Sequence, residues 1–156
     1  MRFFLFDRIV DAERGRFLRA VKVVGLMDAY LMDHFPRRAV MPAPLLIEAV
    51  AQAGGMLNFL NHDYAVAMVL MLVDGARVLR PVTQGEELDI EVTMLRDHPY
   101  GATLRGEVRS SDELVAVVER IVYAHDILGD ASKIAINRER FAYQGGGWKQ
   151  PAEVSR

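Results

Sequence analysis

Hydrophobic and polar residues alternate early in the chain in a way that is typical of strands. Residues 3–10 and 16–24 are rich in β-branched and aromatic types, and a polar turn around Gly15 separates them. This pattern predicts two strands that form a hairpin. Residues 26–39 lose the regularity, which indicates an ordered loop with one helical turn.

The longest apolar segment follows Pro44, a residue suited to the first turn of a helix. Residues 45–60 are apolar almost all round, which predicts a helix over about 43–60 that is buried on every side. Gly54 and Gly55 lower helix propensity by about 1 kcal/mol each. We therefore expect a neighbouring element to approach the helix closely at these glycines.

The second half of the chain has the pattern of a sheet with short turns. Residues 65–73 form a continuous apolar run, which predicts a strand covered on both faces. Three further strands follow up to residue 127, the first of them strictly alternating over 88–94. The order predicts an α+β fold with an antiparallel sheet of about six strands and one long buried helix. We expect a single domain over 1–127 and a loosely structured C-terminal tail over 128–156.

Composition narrows the possible functions. A chain of 156 residues suits one domain, and its 51% hydrophobic content excludes intrinsic disorder. That content also suggests a partner subunit or an apolar ligand. A net charge of −2 gives no general field for nucleic acid or an anionic membrane, and the absence of cysteine excludes thiol chemistry. With no recognisable targeting segment and polar residues inside the longest apolar stretch, we expect a cytoplasmic protein with no membrane partner.

Four histidines are candidates for chemistry: His34, His62, His98 and His125. His62 and His98 lie in polar turns, where solvation is the expected state. No pair has the i,i+4 spacing of a helical metal site, so the spacing predicts no metal centre. His34 differs from the others in its context.

Glu48 lies one turn inside the apolar helix, and Gln52 follows on the same face. A buried carboxyl is costly unless it is hydrogen-bonded or protonated, and burial raises its pKa toward the range of a proton donor. Glu48 is therefore a functional candidate. A structural role, in which Glu48 pairs with an arginine or caps a buried polar network, explains the same pattern, and spacing alone leaves the functional and structural interpretations open.

The stretch from His34 to Gln52 resembles the signature of the 3-hydroxyacyl-[acyl-carrier-protein] dehydratases (FabZ/FabA-like). That family shows His-Phe-Pro-Gly, then Met-Pro-Gly, then Glu with Gln four residues later. The matching residues here are His34, Phe35, Pro36, Met41, Pro42, Glu48 and Gln52. The segments 6–10 and 74–82 also resemble the family's strands, so the resemblance covers about residues 3–125.

The resemblance implies a hotdog fold, in which the sheet wraps around the central helix. It implies reversible removal of water from a (3R)-3-hydroxyacyl thioester on acyl carrier protein or coenzyme A, giving the trans-2-enoyl thioester, with no metal or organic cofactor. It assigns His34 as base, Glu48 as acid, the Ala43 N–H as donor to the thioester oxygen, and Phe35, Pro42 and Gln52 as supporting residues. It also implies a homodimer, with higher assembly left open, in which His and Glu come from opposite subunits beside an apolar tunnel.

Several positions depart from the family pattern. Arg37 and Ala43 replace glycines, and Pro44 replaces an apolar residue that has an N–H. If the glycine at 43 needs a positive φ, alanine would hinder it. Asp33 beside the histidine would raise its pKa. These departures favour one alternative, a non-catalytic thioester-binding or structural subunit, and an acyl-thioester hydrolase is another because fold does not fix chemistry. Arg37 and Arg38 are candidate contacts for an acidic carrier protein.

Overall fold

The computed structural model describes residues 4–25, 27–33 and 38–148. Within these ranges the chain forms eight strands and three helices. The strands are β1 (Arg8–Glu13), β2 (Phe17–Val23), β3 (Val40–Met41), β4 (Val66–Val78), β5 (Val82–Thr83), β6 (Glu87–His98), β7 (Gly101–Ser110) and β8 (Glu113–Ile127). The helices are α1 (Ala29–Asp33), α2 (Ala43–Asn61) and α3 (Ala131–Gln144).

Six strands form one antiparallel sheet in the order β1-β2-β6-β7-β8-β4. The sheet wraps around α2, which contacts β2, β4, β6, β7 and β8. A small second sheet pairs β3 with β5 and holds the segment that leads into α2. The predicted α+β hotdog architecture is confirmed, with the central helix over 43–61 against the predicted 43–60.

The alternating pattern of β6 explains how the sheet holds the helix. Leu88, Ile90 and Val92 are fully buried, whereas their neighbours along the strand are more exposed. On the adjacent β7, Gly106 lies directly under Val50 of α2, where any Cβ would overlap the valine side chain. The absence of a side chain at this position lets helix and sheet approach closely.

The expectation that α2 is buried on every side is wrong for a single chain. Pro44 and Glu48 are exposed, and Gln52 and Gly55 are partly exposed. We call these four residues the open stripe of α2.

The helix α2 has the length and composition of a membrane span, but 61% of its apolar window is buried within the described part of the chain. Leu46, Ala49, Val50, Ala53 and Leu57 have at most 1% exposure. It is a core helix, consistent with a soluble protein.

The prediction that residues 65–73 are covered on both faces is also wrong for a single chain. β4 is an edge strand, and β8 is its only neighbour among the strands of the described ranges. Val69 and Met71 are each 63% exposed, and Leu70 and Leu72 are exposed to a lesser degree. The strand therefore presents a row of apolar side chains at an open edge.

The C-terminal segment, expected to be loosely structured, contains α3. The side chain of Asp130 caps its first turn by accepting a backbone N–H. Phe141 is 3% exposed and packs edge-on against Tyr64, with ring centroids 5.3 Å apart. The Asn137 amide donates to the carbonyl of Tyr64 at 2.9 Å. One buried aromatic and one amide thus dock an otherwise polar helix, which explains why its apolar pattern is weak.

The end of α3 also reaches β1, the strand at the other edge of the sheet. The carbonyl of Gly145 accepts the Ile9 N–H at 3.1 Å. β1 has an irregular register between Ile9 and Asp11. The two edges of the sheet therefore differ: β1 is bulged and touched by the C-terminal segment, and β4 is long and open.

Candidate active site

Glu48 and Gln52 share the open stripe of α2 and contact each other. The Gln52 amide donates to Glu48 Oε1 at 3.1 Å, and Gln52 Oε1 accepts the Leu5 N–H at 3.0 Å. Gln52 thereby links Glu48 to the segment that precedes β1. The expected burial of Glu48 is wrong for a single chain, because its carboxyl is exposed. In residues 4–25, 27–33 and 38–148 no arginine forms an ion pair with it.

Tyr123 of β8 packs against α2 at Ala51 and Gly54. Its hydroxyl donates a hydrogen bond to the carbonyl of Ala51. Burial raises the pKa of Tyr123, and the negative charge of Glu48 acts in the same direction. No pattern in the sequence pointed to this residue, since an aromatic in an apolar strand is ordinarily a core residue.

The two helix glycines have different surroundings. A Cβ on Gly54 would lie 3.0 Å from the Tyr123 hydroxyl oxygen, so the predicted close approach is confirmed there. A Cβ on Gly55 would be nearest to Met68 Sδ at 3.6 Å, an ordinary contact. Of these two glycines, only Gly54 is closely packed against a neighbouring strand.

The start of α2 presents one available backbone donor. Pro42 is the N-cap residue and accepts the Leu45 N–H at 2.9 Å, while Pro44 has no N–H. Within the described residues the Ala43 N–H has no acceptor, and Ala43 is exposed. Ala43 is not among the residues with positive φ, so the strain anticipated for alanine at this position is absent. The positive end of the helix dipole lies at the same place.

A cavity of about 410 Å³ lies beside the start of α2, with Ala43, Arg38 and Arg80 in its wall. Arg80 forms ion pairs with Glu86 at 2.9 Å and Glu113 at 2.8 Å. Burial raises the pKa of Glu86, but hydrogen bonds from Arg80 and other donors outweigh burial and lower this pKa to about 2. Arg38 is exposed. Glu86 and Glu113 neutralise Arg80, so among the described residues Arg38 is the cation of this cavity wall that has no ion pair.

A second cavity, of about 590 Å³, lies between α2 and α3. Gln52, Met56 and Phe59 line it from the helix, Met68 from β4 and Tyr143 from α3. Gln52 belongs both to this wall and to the open stripe. The open stripe therefore runs from the region of the first cavity to the second.

His34, Phe35 and Arg37 lie outside the described residues, as does the side chain of Asp33. The pairing of His34 with Glu48 consequently stays a prediction. Of the other candidates, Ala43, Glu48 and Gln52 lie along one helix as predicted, Pro42 caps it, and Arg38 borders the cavity at its start.

Comparison with known proteins places this arrangement in context. A family model described as the FabA-like domain matches residues 1–119. A 3-hydroxyacyl-[acyl-carrier-protein] dehydratase FabZ of Proteus mirabilis (strain HI4320) is 34% identical over 120 residues, covering 75% of this chain and 80% of the relative. The dehydratase of the same name from Magnetococcus marinus is 35% identical over 133 residues, covering 80% and 87%.

Among solved structures, the dehydratase heterocomplex ApeI:P from Xenorhabdus doucetiae aligns with a TM-score of 0.65. The alignment covers 85% of this chain and 87% of that chain at 17% identity. Identity at this level supports the fold and carries no information on substrate.

Proposed function

The chain belongs to the FabA-like family, and we propose that it is a dehydratase that acts on 3-hydroxyacyl thioesters of acyl carrier protein in fatty-acid or specialised lipid and polyketide synthesis. In this reaction a base removes a proton from C2 of a (3R)-3-hydroxyacyl thioester. The C3–O bond breaks, an acid protonates the departing hydroxyl, and the products are water and the trans-2-enoyl thioester. The named dehydratases FabZ, at about 35% identity over most of the chain, support this assignment.

The observation that carries the proposal is the pair formed by Glu48 and Gln52 on the open stripe. Glu48 protonates the hydroxyl, and Gln52 holds its carboxyl by the 3.1 Å hydrogen bond. His34, fourteen positions before Glu48 as in the family, takes the C2 proton. The expected burial of Glu48 is then supplied by the second subunit and the substrate, rather than by the chain's own core.

The third requirement is stabilisation of the negative charge that develops on the thioester oxygen. The Ala43 N–H, available at the start of α2 and aligned with the helix dipole, meets it. Pro44 removes a competing N–H from the same turn. Alanine in place of the family's glycine is compatible with this role because no positive φ is needed at position 43.

The two cavities suggest how the substrate lies. We propose that the thioester end approaches through the 410 Å³ cavity, where Arg38 meets the phosphate of the pantetheine arm or an acidic carrier protein. The acyl chain then extends along the open stripe toward the 590 Å³ cavity. No cofactor takes part in the elimination.

Members of this fold family are commonly dimeric, and we propose that β4 joins two copies of this chain. An edge strand with Val69 and Met71 each 63% exposed is unfavourable in water, and antiparallel pairing with a second β4 would satisfy its backbone. The dimer would also cover the open stripe and bring the partner's His34 to Glu48. A soluble dimer acting on carrier-protein substrates is expected in the cytoplasm.

A coupled assay tests the activity. The protein is incubated with a 3-hydroxyacyl and an enoyl thioester, and enoyl absorbance and free thiol are followed together. Interconversion without thiol release is expected. Thiol release would instead identify an acyl-thioester hydrolase, and binding without turnover would identify a non-catalytic subunit.

Two substitutions test the roles of the residues. His34→Ala and Glu48→Gln should each lower turnover at least about a hundredfold while the dimer persists. Glu87→Gln, which changes an exposed glutamate at the start of β6 that lines neither cavity, is the matched control and should retain most activity. Full activity of either active-site variant would overturn the assignment.

A further inference from the structure

Three metal-ligating side chains converge at the far end of α2, about 21 Å along the helix axis from Glu48. His62 is the C-cap residue of α2, Asp97 lies near the end of β6, and His125 lies near the end of β8. His62 Nε2 is 3.0 Å from Asp97 Oδ1, and the two histidine rings meet edge-on with centroids 4.8 Å apart. One potential ligand atom from each residue lies within 4.8 Å of the other two.

His125 is the member of this cluster that an ion pair does not explain. It is 8% exposed, and neither ring nitrogen has a hydrogen-bond partner among the described residues. The carbonyl of His98 lies close to the ring, but outside hydrogen-bonding geometry. Burying an imidazole without a partner for its polar atoms is costly.

We propose that His62, Asp97 and His125 form a Zn²⁺ site. Two imidazole nitrogens and one carboxylate oxygen are a ligand set that zinc accepts, with ligand atoms about 3.3 Å apart in a tetrahedral arrangement. The 3.0 Å separation of His62 Nε2 and Asp97 Oδ1 is already close to this value, and His125, with a ligand atom within 4.8 Å of both, would move toward them to complete the set. The carboxylate of Asp97 faces solvent, which leaves the fourth position for water.

Such a site would connect the end of α2 to the ends of β6 and β8. Because the ligands come from three separate elements, they converge only in the folded chain, and zinc would bind the folded state in preference to the unfolded one. This also explains why histidine spacing in the sequence did not indicate it. His62, expected to be solvated in a turn, is instead largely covered, with 17% of its side chain exposed.

The test uses tag-free full-length protein stripped with EDTA and then dialysed. We expect calorimetric titration with zinc to give one ion per chain, and Co²⁺ to give the visible absorption bands of a tetrahedral site. Zinc should raise the thermal unfolding midpoint, and EDTA should reverse the rise. Asp97→Asn and His62→Gln should each weaken zinc binding at least about tenfold.

Two neighbouring residues provide matched controls. His98→Gln and Asp126→Asn remove an exposed histidine and an exposed carboxylate next to the cluster and should leave affinity unchanged. Circular dichroism checks that each variant is folded, and the Co²⁺ spectrum of the unmodified chain tests the site without any substitution. No zinc binding by the folded chain, or binding that both Asp97→Asn and His62→Gln leave intact, would show that the cluster is only an ion pair packed on a buried ring. Neither result bears on the dehydratase assay, because no thioester is present.

Discussion

Gly54 and Gly55 are adjacent in α2 but have different neighbours, so replacing each with alanine measures how tightly the helix packs against β8. Alanine is more favourable than glycine in a helix by about 1 kcal/mol. Among the described residues of one chain, a Cβ at Gly55 meets only Met68 Sδ at 3.6 Å. Gly55→Ala should therefore raise the free energy of unfolding by about 1 kcal/mol.

Gly54→Ala has the same helix benefit and an opposing cost. The new Cβ would lie 3.0 Å from the Tyr123 hydroxyl oxygen, which must move by a few tenths of an ångström. That hydroxyl is buried and donates to Ala51, and loosening such a hydrogen bond costs about 1 kcal/mol. The net change should be close to zero, about 1 kcal/mol less favourable than the change for Gly55→Ala.

Removing the hydroxyl should restore the helix benefit. In a Tyr123→Phe background the nearest atoms to the new Cβ are the ring carbon Cε2 at 3.4 Å and Leu104 Cδ2 at 3.6 Å, both ordinary contacts. Gly54→Ala should then stabilise by about 1 kcal/mol, which gives a coupling of about 1 kcal/mol between positions 54 and 123.

Urea unfolding of the four variants of the cycle, and of Gly55→Ala, measures these differences at one fixed protein concentration, since dimer formation contributes to stability. If Gly54→Ala changes the free energy of unfolding equally in both backgrounds, to within about 0.3 kcal/mol, the contact with the Tyr123 hydroxyl does not oppose a side chain at position 54.

The site and the sheet allow three further tests. Gln52→Met should lower kcat roughly tenfold or more with a smaller change in KM, because Glu48 loses the amide that orients it; an unchanged kcat would remove Gln52 from the site. Val69→Lys should convert a dimer to a folded monomer in light scattering, because it puts a charge on the open edge; a persistent dimer would place the interface elsewhere. The pKa of Glu86 is lowered from 4.5 to about 2, so its ion pair with Arg80 stabilises the fold fully above about pH 4.5 and is lost as pH falls toward 2. Urea midpoints should thus fall less steeply over that range in Glu86→Gln, and identical slopes would contradict the linkage.

Sequence patterns were sufficient for the architecture because local periodicity and core burial agree in this chain. The alternation of Leu88, Ile90 and Val92 predicted a half-buried strand, and these residues are fully buried against the helix. The position of α3 was missed because its docking depends on one aromatic, Phe141. The cap formed by Asp130 was a signal that could have located its start.

The positions of the candidate site residues along α2 could be predicted from the sequence, but the exposure of their side chains could not. Glu48, Gln52 and Ala43 were placed on one helix from their spacing, and the structure agrees. The predicted burial of Glu48 failed for the single chain, in which the carboxyl is exposed, because a sequence pattern does not distinguish burial in the chain's own core from burial by the proposed second subunit. His62 was misjudged for a related reason: a turn residue after a helix looks solvated until the strand that carries His125 is placed beside it.

The unequal edges of the sheet determine how far it can grow. In the proposed dimer the same strand, β4, pairs on both copies, so a two-fold axis relates the two chains. Each β4 edge is then covered by the β4 of the other chain. The remaining outer strand on each side is β1, where the irregular register and the Gly145 carbonyl bound to Ile9 obstruct addition of another strand. If two copies pair through β4 as proposed, assembly through the sheet closes at two chains and open-ended polymerisation through the exposed apolar strand is avoided.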